Sequence, residues 1–461
     1  MQTEEFTAAP GFAAGARQRR KVGWIRVAGL GVATVIGGSF SGWNFGLSAG
    51  WTGFAIATGL MVLLYLSLVL VIAELSACLP STGGLYAYVR VAFGRMAGFM
   101  VGMSVACATL VASAAVATFV GGYLQSLFDW PVAPTIVGLF ALFAVVHWFS
   151  THETLSVLLI VTCISVSTLV LFGIAMAPAF KIDNLAGAGT WMPEPNAIAG
   201  AIPFAIWLLA GVEHTALAAE DVENPGKNLP RGMICAIMLL AVIGLAVATL
   251  APGGGGLDAL KSSANPLVDA LQAAHVAQPL TNAIGFLALP ALLAGFFSLM
   301  FAYSRQTFAL ARAGYLPAFL AIENRHGVPV NAVYLPGAAA LILSLNNPGD
   351  TLVVAAVFLI LLVYVGCFAS YFWFRARAAH LSRPYRAPAG RALAALGLFL
   401  TALAIYSCTQ LAPRALLVAL AFLAAASIYL RITGNSRIDA DVAEERMAAD
   451  AHAREVNAAT R

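Results

Sequence analysis

Glu213 and His214 are two ionisable residues in a stretch otherwise apolar enough to enter a bilayer, Phe204-Ala-Ile-Trp-Leu-Leu-Ala-Gly-Val-Glu-His-Thr215. A charged group at membrane depth costs at least about 2.5–3.5 kcal/mol, so it is usually retained for a reason. Gly211, just before them, weakens the helix, and a helix interrupted at that depth frees backbone groups that can hold a ligand. The plainer reading is a close helix contact at Gly211 and a buried donor for Glu213. The first apolar stretch carries a similar cluster halfway along, Gly37, Gly38, Ser39, Ser41 and Gly42. Glycine costs about 1 kcal/mol in a helix, and lipid offers no replacement hydrogen bonds. Gly-rich packing against neighbours is the plainer reading here too. Interruptions at equivalent points of the first and sixth segments point instead to a transporter-type binding site between them.

The surrounding chain is built for a membrane. Its 461 residues are 61% hydrophobic and 10% charged, with a mean hydropathy of +0.86, which marks an all-α integral membrane protein. We count twelve apolar segments, at roughly 23–46, 52–79, 96–127, 132–150, 154–177, 198–222, 232–251, 281–312, 331–346, 351–374, 391–411 and 414–431. Their length and lack of alternation predict twelve transmembrane helices and not a barrel. With the N-terminus inside, all of the 25 Lys and Arg residues except Lys181, Lys261 and Arg414 fall on the cytoplasmic side. That bias predicts both termini in the cytoplasm. Residues 1–21 read as a disordered cytoplasmic N-terminus, 22–431 as the membrane domain and 432–461 as a cytoplasmic tail.

Other function classes find little support. A net charge of +4 comes without a cationic face for nucleic acid, and the six cysteines make neither a C-x-x-C pair nor a metal-spaced cluster, so free thiols are expected and no metal or cofactor. The N-terminus has no short apolar core followed by a small-residue cleavage site. No clustered acid, base or metal residues suggest an enzyme, and no charge ring or repeated filter suggests a channel. The connection from Pro252 to Pro279 holds a Gly253–Gly256 run, read as flexible loop, and a helix-like stretch around 267–272, together a lid over an outer vestibule. His147 reads as an interfacial residue at a cytoplasmic helix end.

Four motifs in order then suggest a family. Tyr65 is followed by Ala73-Glu-Leu-Ser76, Pro80, Gly83-Gly84, Tyr86, Tyr88 and Phe93-Gly94. The sixth segment ends Ala219-Glu-Asp221, Asn224-Pro225 and Leu229-Pro-Arg231. The eighth ends Ser304-Arg305, Ala309, Ala311-Arg-Ala-Gly314 and Leu316-Pro317, and Asn324 and Gly327-Val-Pro329 follow. With these, the chain resembles the amino acid–polyamine–organocation (APC) permeases over about residues 22–431, and Trp43-Asn-Phe-Gly46 with Val212-Glu213 is similar to the ethanolamine permease branch.

The resemblance implies a LeuT-like fold in the bacterial inner membrane. Segments 1–5 and 6–10 form inverted repeats, helices 1 and 6 are broken, segments 11 and 12 are peripheral, and access alternates around the breaks. It implies a substrate site on Ile36, Gly37, Gly38, Ser39, Phe40, Ser41 and Asn44 of segment one, and on Trp207, Leu208, Ala210, Gly211 and Glu213 of segment six, with Trp207 as the aromatic gate. A small amine such as ethanolamine lacks a carboxylate, so Glu213 would supply its counter-charge and Ser39, Ser41 or Asn44 would reach its hydroxyl. The alternative is a neutral or gamma-amino acid, or exchange between the two kinds. His214 reads as a vestibule histidine or a proton carrier, and Glu74 as a structural partner of a nearby cation or hydroxyl. Glu220 and Asp221 are expected to form inner-gate salt bridges with Arg90, Arg231 or Arg312. Proton-coupled relatives carry a lysine in segment five, where this chain has Ser165. Coupling to H+ on that pattern is thereby weakened, and Na+ on Ser165, Ser298 and helix-one carbonyls, or uncoupled exchange, stay open. The sequence assigns no oligomeric state.

Overall fold

The computed structural model describes residues 23–78, 84–149, 155–186, 193–213, 215, 222–378 and 383–433. Nearly all of them are helical. In chain order the α-helices are α1 (Trp24–Val35), α2 (Gly50–Cys78), α3 (Gly84–Phe93), α4 (Arg95–Phe128), α5 (Val132–Phe149), α6 (Leu155–Met176), α7 (Asp183–Ala186) and α8 (Pro195–Trp207). They continue with α9 (Pro225–Gly255), α10 (Leu257–Leu260), α11 (Pro266–Ala273), α12 (Gln278–Arg312), α13 (Val330–Asn346), α14 (Gly349–Arg377), α15 (Arg391–Leu411) and α16 (Pro413–Thr433).

Among the described residues, nine helical stretches are long and apolar enough to cross a membrane, and Trp24–Ser39 and Val330–Asn346 are shorter apolar ones. Large apolar side chains cover the outward faces: Val418, Leu417, Ile432, Phe399 and Ile174 are all more than 60% exposed. A monomer in water does not present such a surface, whereas lipid accepts it. The centre is formed by α4 and α14, each with 78% of its most apolar window buried, while α16 has only 17% and stands at the periphery.

The first segment changes geometry where its glycines are concentrated. The α-helix ends at Val35, a 3-10 turn covers Ile36–Ser39, the chain turns through 40–42, and a second 3-10 stretch runs Trp43–Ala49. The sixth behaves alike: α8 stops at Trp207, residues 208–211 form a turn, and Gly211 takes a left-handed φ of 117° that a side chain would resist.

One expectation needs correction. The glycine run after Pro252 is not flexible loop: α9 continues through Gly255. The first three of its glycines are points of close packing, whereas Gly256 lies past the helix end in a left-handed conformation with open space around it. A Cβ on Gly253 or Gly254 would run into Phe180 or Met176, and one on Gly255 would lie 2.8 Å from the Ala270 Cα. Small residues at helix contacts let backbones approach, which offsets their poor propensity. His147 lies in the last turn of α5, as expected, and is buried there: its Nδ1 sits 2.8 Å from the Phe143 carbonyl and its ring packs on Phe297 at 4.4 Å.

Candidate functional site

The two interruptions lie against each other. Gly38 comes so close to segment six that a Cβ there would sit 2.8 Å from the Trp207 carbonyl oxygen. Thr34 Oγ1 donates to the Gly31 carbonyl at 3.0 Å and lies 3.4 Å from that of Gly211. Trp207 lies across the junction, its indole N–H donating to the Ser41 carbonyl at 3.1 Å and its ring edge-on to Phe119 at 6.3 Å. Tyr123 of α4 donates to the Phe40 carbonyl at 2.8 Å, so a side chain satisfies a main-chain acceptor that the broken helix cannot.

Burial is uneven around the junction. Ser39 to Asn44 are all buried, whereas Thr34, Gly37, Gly38, Trp207, Ala210 and Gly211 keep partial access. A lid covers the buried side. Ser41 Oγ donates to the Ala264 carbonyl at 2.7 Å, and Asn44 Nδ2 donates to the carbonyls of Leu260 and Ser263 at 2.7 and 2.8 Å. These acceptors belong to the connection that carries α10 and α11. Asn44 Oδ1 meanwhile accepts from the Gly42 N–H at 3.1 Å. Ser41 and Asn44 therefore tie the first interruption to the backbone of this connection. Ser39 differs: its hydroxyl is fully buried and meets no hydrogen-bond partner among the described residues. Ile36, Phe40 and Leu208 are buried apolar walls.

Glu213 is 2% exposed and folds back onto the interrupted turn, Oε2 accepting from the Gly211 N–H at 2.9 Å. Its other oxygen accepts from the Tyr364 hydroxyl of α14 at 2.5 Å, and Tyr364 in turn lies 2.9 Å from the Tyr65 hydroxyl of α2. Among the described residues, no guanidinium or ammonium pairs with this carboxylate. The Tyr364 and Tyr65 partnership was not foreseen; the available signal was a phenol in the middle of a long apolar helix, which needs a polar partner when buried.

Glu74 sits elsewhere, where α2 meets α14. Its Oε2 accepts from Arg375 Nη2 at 2.7 Å, the Tyr371 hydroxyl at 3.0 Å and the Ala387 N–H at 2.7 Å, and Arg383 Nε lies 3.4 Å from Oε1. Of the residues weighed for coupling, Ser165 is buried and donates to the Val161 carbonyl of its own helix at 2.7 Å. Ser298 lies on α12, which packs against α6. His214, Glu220 and Asp221 lie outside the described residues. No group of three or more His, Cys, Asp or Glu suited to a metal occurs among the described residues.

Residues 22–429 match the family described as amino acid permease. An uncharacterized transporter of Rhizobium meliloti (strain 1021) is 27% identical over 370 residues, 76% of this chain and 77% of that protein. One of Mycobacterium tuberculosis (strain ATCC 25618 / H37Rv) is 28% identical over 345 residues, 71% and 74% of the two. A branched-chain amino acid permease of Bacillus subtilis (strain 168) is 24% identical over 361 residues, 72% and 76%. With a family match across most of its length and relatives that are transporters by name, the chain belongs to the amino acid permease family of the APC superfamily and is a multi-pass membrane transporter.

Proposed function

We propose that this permease carries a small amine of the ethanolamine type across the cytoplasmic membrane by alternating access, through a twelve-helix, LeuT-like inverted repeat with both termini in the cytoplasm. The observation that carries the substrate class is the Glu213 carboxylate. It is buried at an interrupted helix with two neutral donors and no cation among the described residues. An ionised carboxylate so placed costs several kcal/mol unless a positive charge joins it. A substrate ammonium is that charge, reaching the lone pairs that Tyr364 and Gly211 leave open. The unpartnered Ser39 hydroxyl lies on the facing segment and suits the hydroxyl of an amino-alcohol. Ser41 and Asn44, spent on the lid, close the site and leave the substrate contact to Ser39.

The second reading is an amino acid substrate, favoured by the name of the Bacillus subtilis relative. Its carboxylate would then rest on the amides that follow the first interruption.

Uptake of labelled ethanolamine into proteoliposomes, with unlabelled alanine, GABA and putrescine as competitors, tests the proposal. Saturable uptake blocked by amino-alcohols and not by zwitterions is expected, with at least a tenfold loss in Glu213→Gln. Competition by alanine or GABA, or unchanged uptake in Glu213→Gln, would overturn the amine reading.

A further inference from the structure

Four arginines surround one cavity at the face that carries most of the chain's cations. The cavity has a volume of about 570 Å³ and is lined by Arg375, Arg383, Arg386 and Arg391, with the intervening wall formed by Ala387, Ala389 and Gly390. Glu74 is a carboxylate that meets this group, and its Oε2 is already filled by Arg375, Tyr371 and the Ala387 N–H. Among the described residues, four guanidinium groups meet one carboxylate here. The arginines divide into two kinds. Arg375 and Arg383 are the inner pair, side chains 24% and 8% exposed, held by Glu74, and Arg383 Nη2 also caps α14 on the carbonyls of Phe374 and Ala378 at 3.0 Å each. Arg386 and Arg391 are exposed and have no carboxylate partner among the described residues.

Backbone geometry adds to the charge. Arg391 opens α15, whose first-turn N–H groups and positive dipole end belong to the same rim, and no side chain caps that end. Basic pockets between membrane helices can take anionic head groups, and these arginines converge on a concavity. The guanidinium fork matches the spacing of phosphate oxygens and can bind them in pairs.

We propose that this cavity binds a phosphate group, clasped by Arg386 and Arg391 over the Glu74-anchored pair Arg375 and Arg383. The group is either the headgroup of an anionic lipid or free phosphate. Because the walls belong to α14, α15 and the chain between them, and Glu74 ties α2 to the same place, an occupied site braces the joint between these helices.

The test is thermal unfolding of the full-length protein in detergent, with phosphatidylglycerol, with phosphatidylcholine, and with inorganic phosphate. Saturating ligand is expected to raise Tm by roughly 2–4 °C. A rise with both phosphatidylglycerol and phosphate assigns a site satisfied by the phosphate alone, and a rise with phosphatidylglycerol only assigns the lipid headgroup. The rise should vanish in the Arg386→Gln, Arg391→Gln double variant, which leaves the Glu74 pairs intact, and persist in Arg377→Gln, outside the cavity. Should the double variant fail to fold, either single variant should still lose more than half of the rise. No rise with either anion, or an equal rise in the double variant as general salt stabilisation would give, overturns the proposal.

Discussion

Glu74 and Glu213 are two glutamates with the same exposure, 2%, and opposite surroundings. Glu74 is answered by two arginines, a phenol and a backbone amide. Among the described residues, Glu213 is answered by a phenol and a backbone amide. A buried charge that is fully paired is a structural joint, and removing one side of it exposes the other to the full desolvation cost. A buried carboxylate met by neutral donors lacks that charge compensation, and this is the setting on which the proposed substrate contact rests. Equal burial thus conceals two different settings, and it is the partners that separate them.

The contrast can be broken most forcefully at Glu74. Glu74→Ala leaves Arg375 and Arg383 without their anion and should destabilise the protein by about 3–5 kcal/mol, read by thermal or denaturant unfolding in detergent. A loss below about 1 kcal/mol would put Glu74 in the same class as Glu213. Next comes Tyr364→Phe, which strips one donor from Glu213 and the neighbour from Tyr65. It should cost about 1–3 kcal/mol by the same measurement, and it should change the KM for amines more than kcat if the carboxylate meets substrate. Asn44→Ala removes both hydrogen bonds to the lid carbonyls. It should cost about 1–2 kcal/mol and speed hydrogen exchange across 257–273, with both glutamates undisturbed.

The smallest effect concerns pH. Asp269 lies on α11 in the lid; burial pushes its carboxyl above the usual carboxylate range, and the Ser263 hydroxyl, donating at 2.5 Å, partly offsets this. The folded lid therefore holds the proton more tightly than the unfolded chain does. Its contribution is largest at pH below the ordinary carboxylate value, and stability falls as pH rises through the window up to the raised value. Asp269→Asn should flatten that slope in a Tm-against-pH series, and an unchanged slope would assign it to other groups.

Much of this architecture was legible in the residues. Twelve apolar runs announced a helical membrane protein, and Gly37-Gly38 and Gly211 marked the places where two helices lose their regular geometry. The breaks were readable because glycine acts locally, on its own turn. What escaped was whatever depends on a distant partner. Tyr364 lies 151 positions from Glu213, and nothing in a uniformly apolar helix says which face turns inward. The commitment of Ser41 and Asn44 to the lid was hidden for a related reason, since their acceptors are main-chain carbonyls with no side-chain signature. The Gly253–Gly256 run misled over its first three residues because glycine has two uses, freedom and closeness, and in a packed helix contact closeness prevails.

The lid contact has an evolutionary corollary. Ser41 and Asn44 grip the carbonyls of Leu260, Ser263 and Ala264, and a carbonyl is present whatever residue bears it. Replacing those side chains leaves the acceptors in place as long as the backbone keeps its path. Mutational drift in this connection is therefore decoupled from these contacts: its side chains are free to diversify while the two residues beneath continue to hold its backbone.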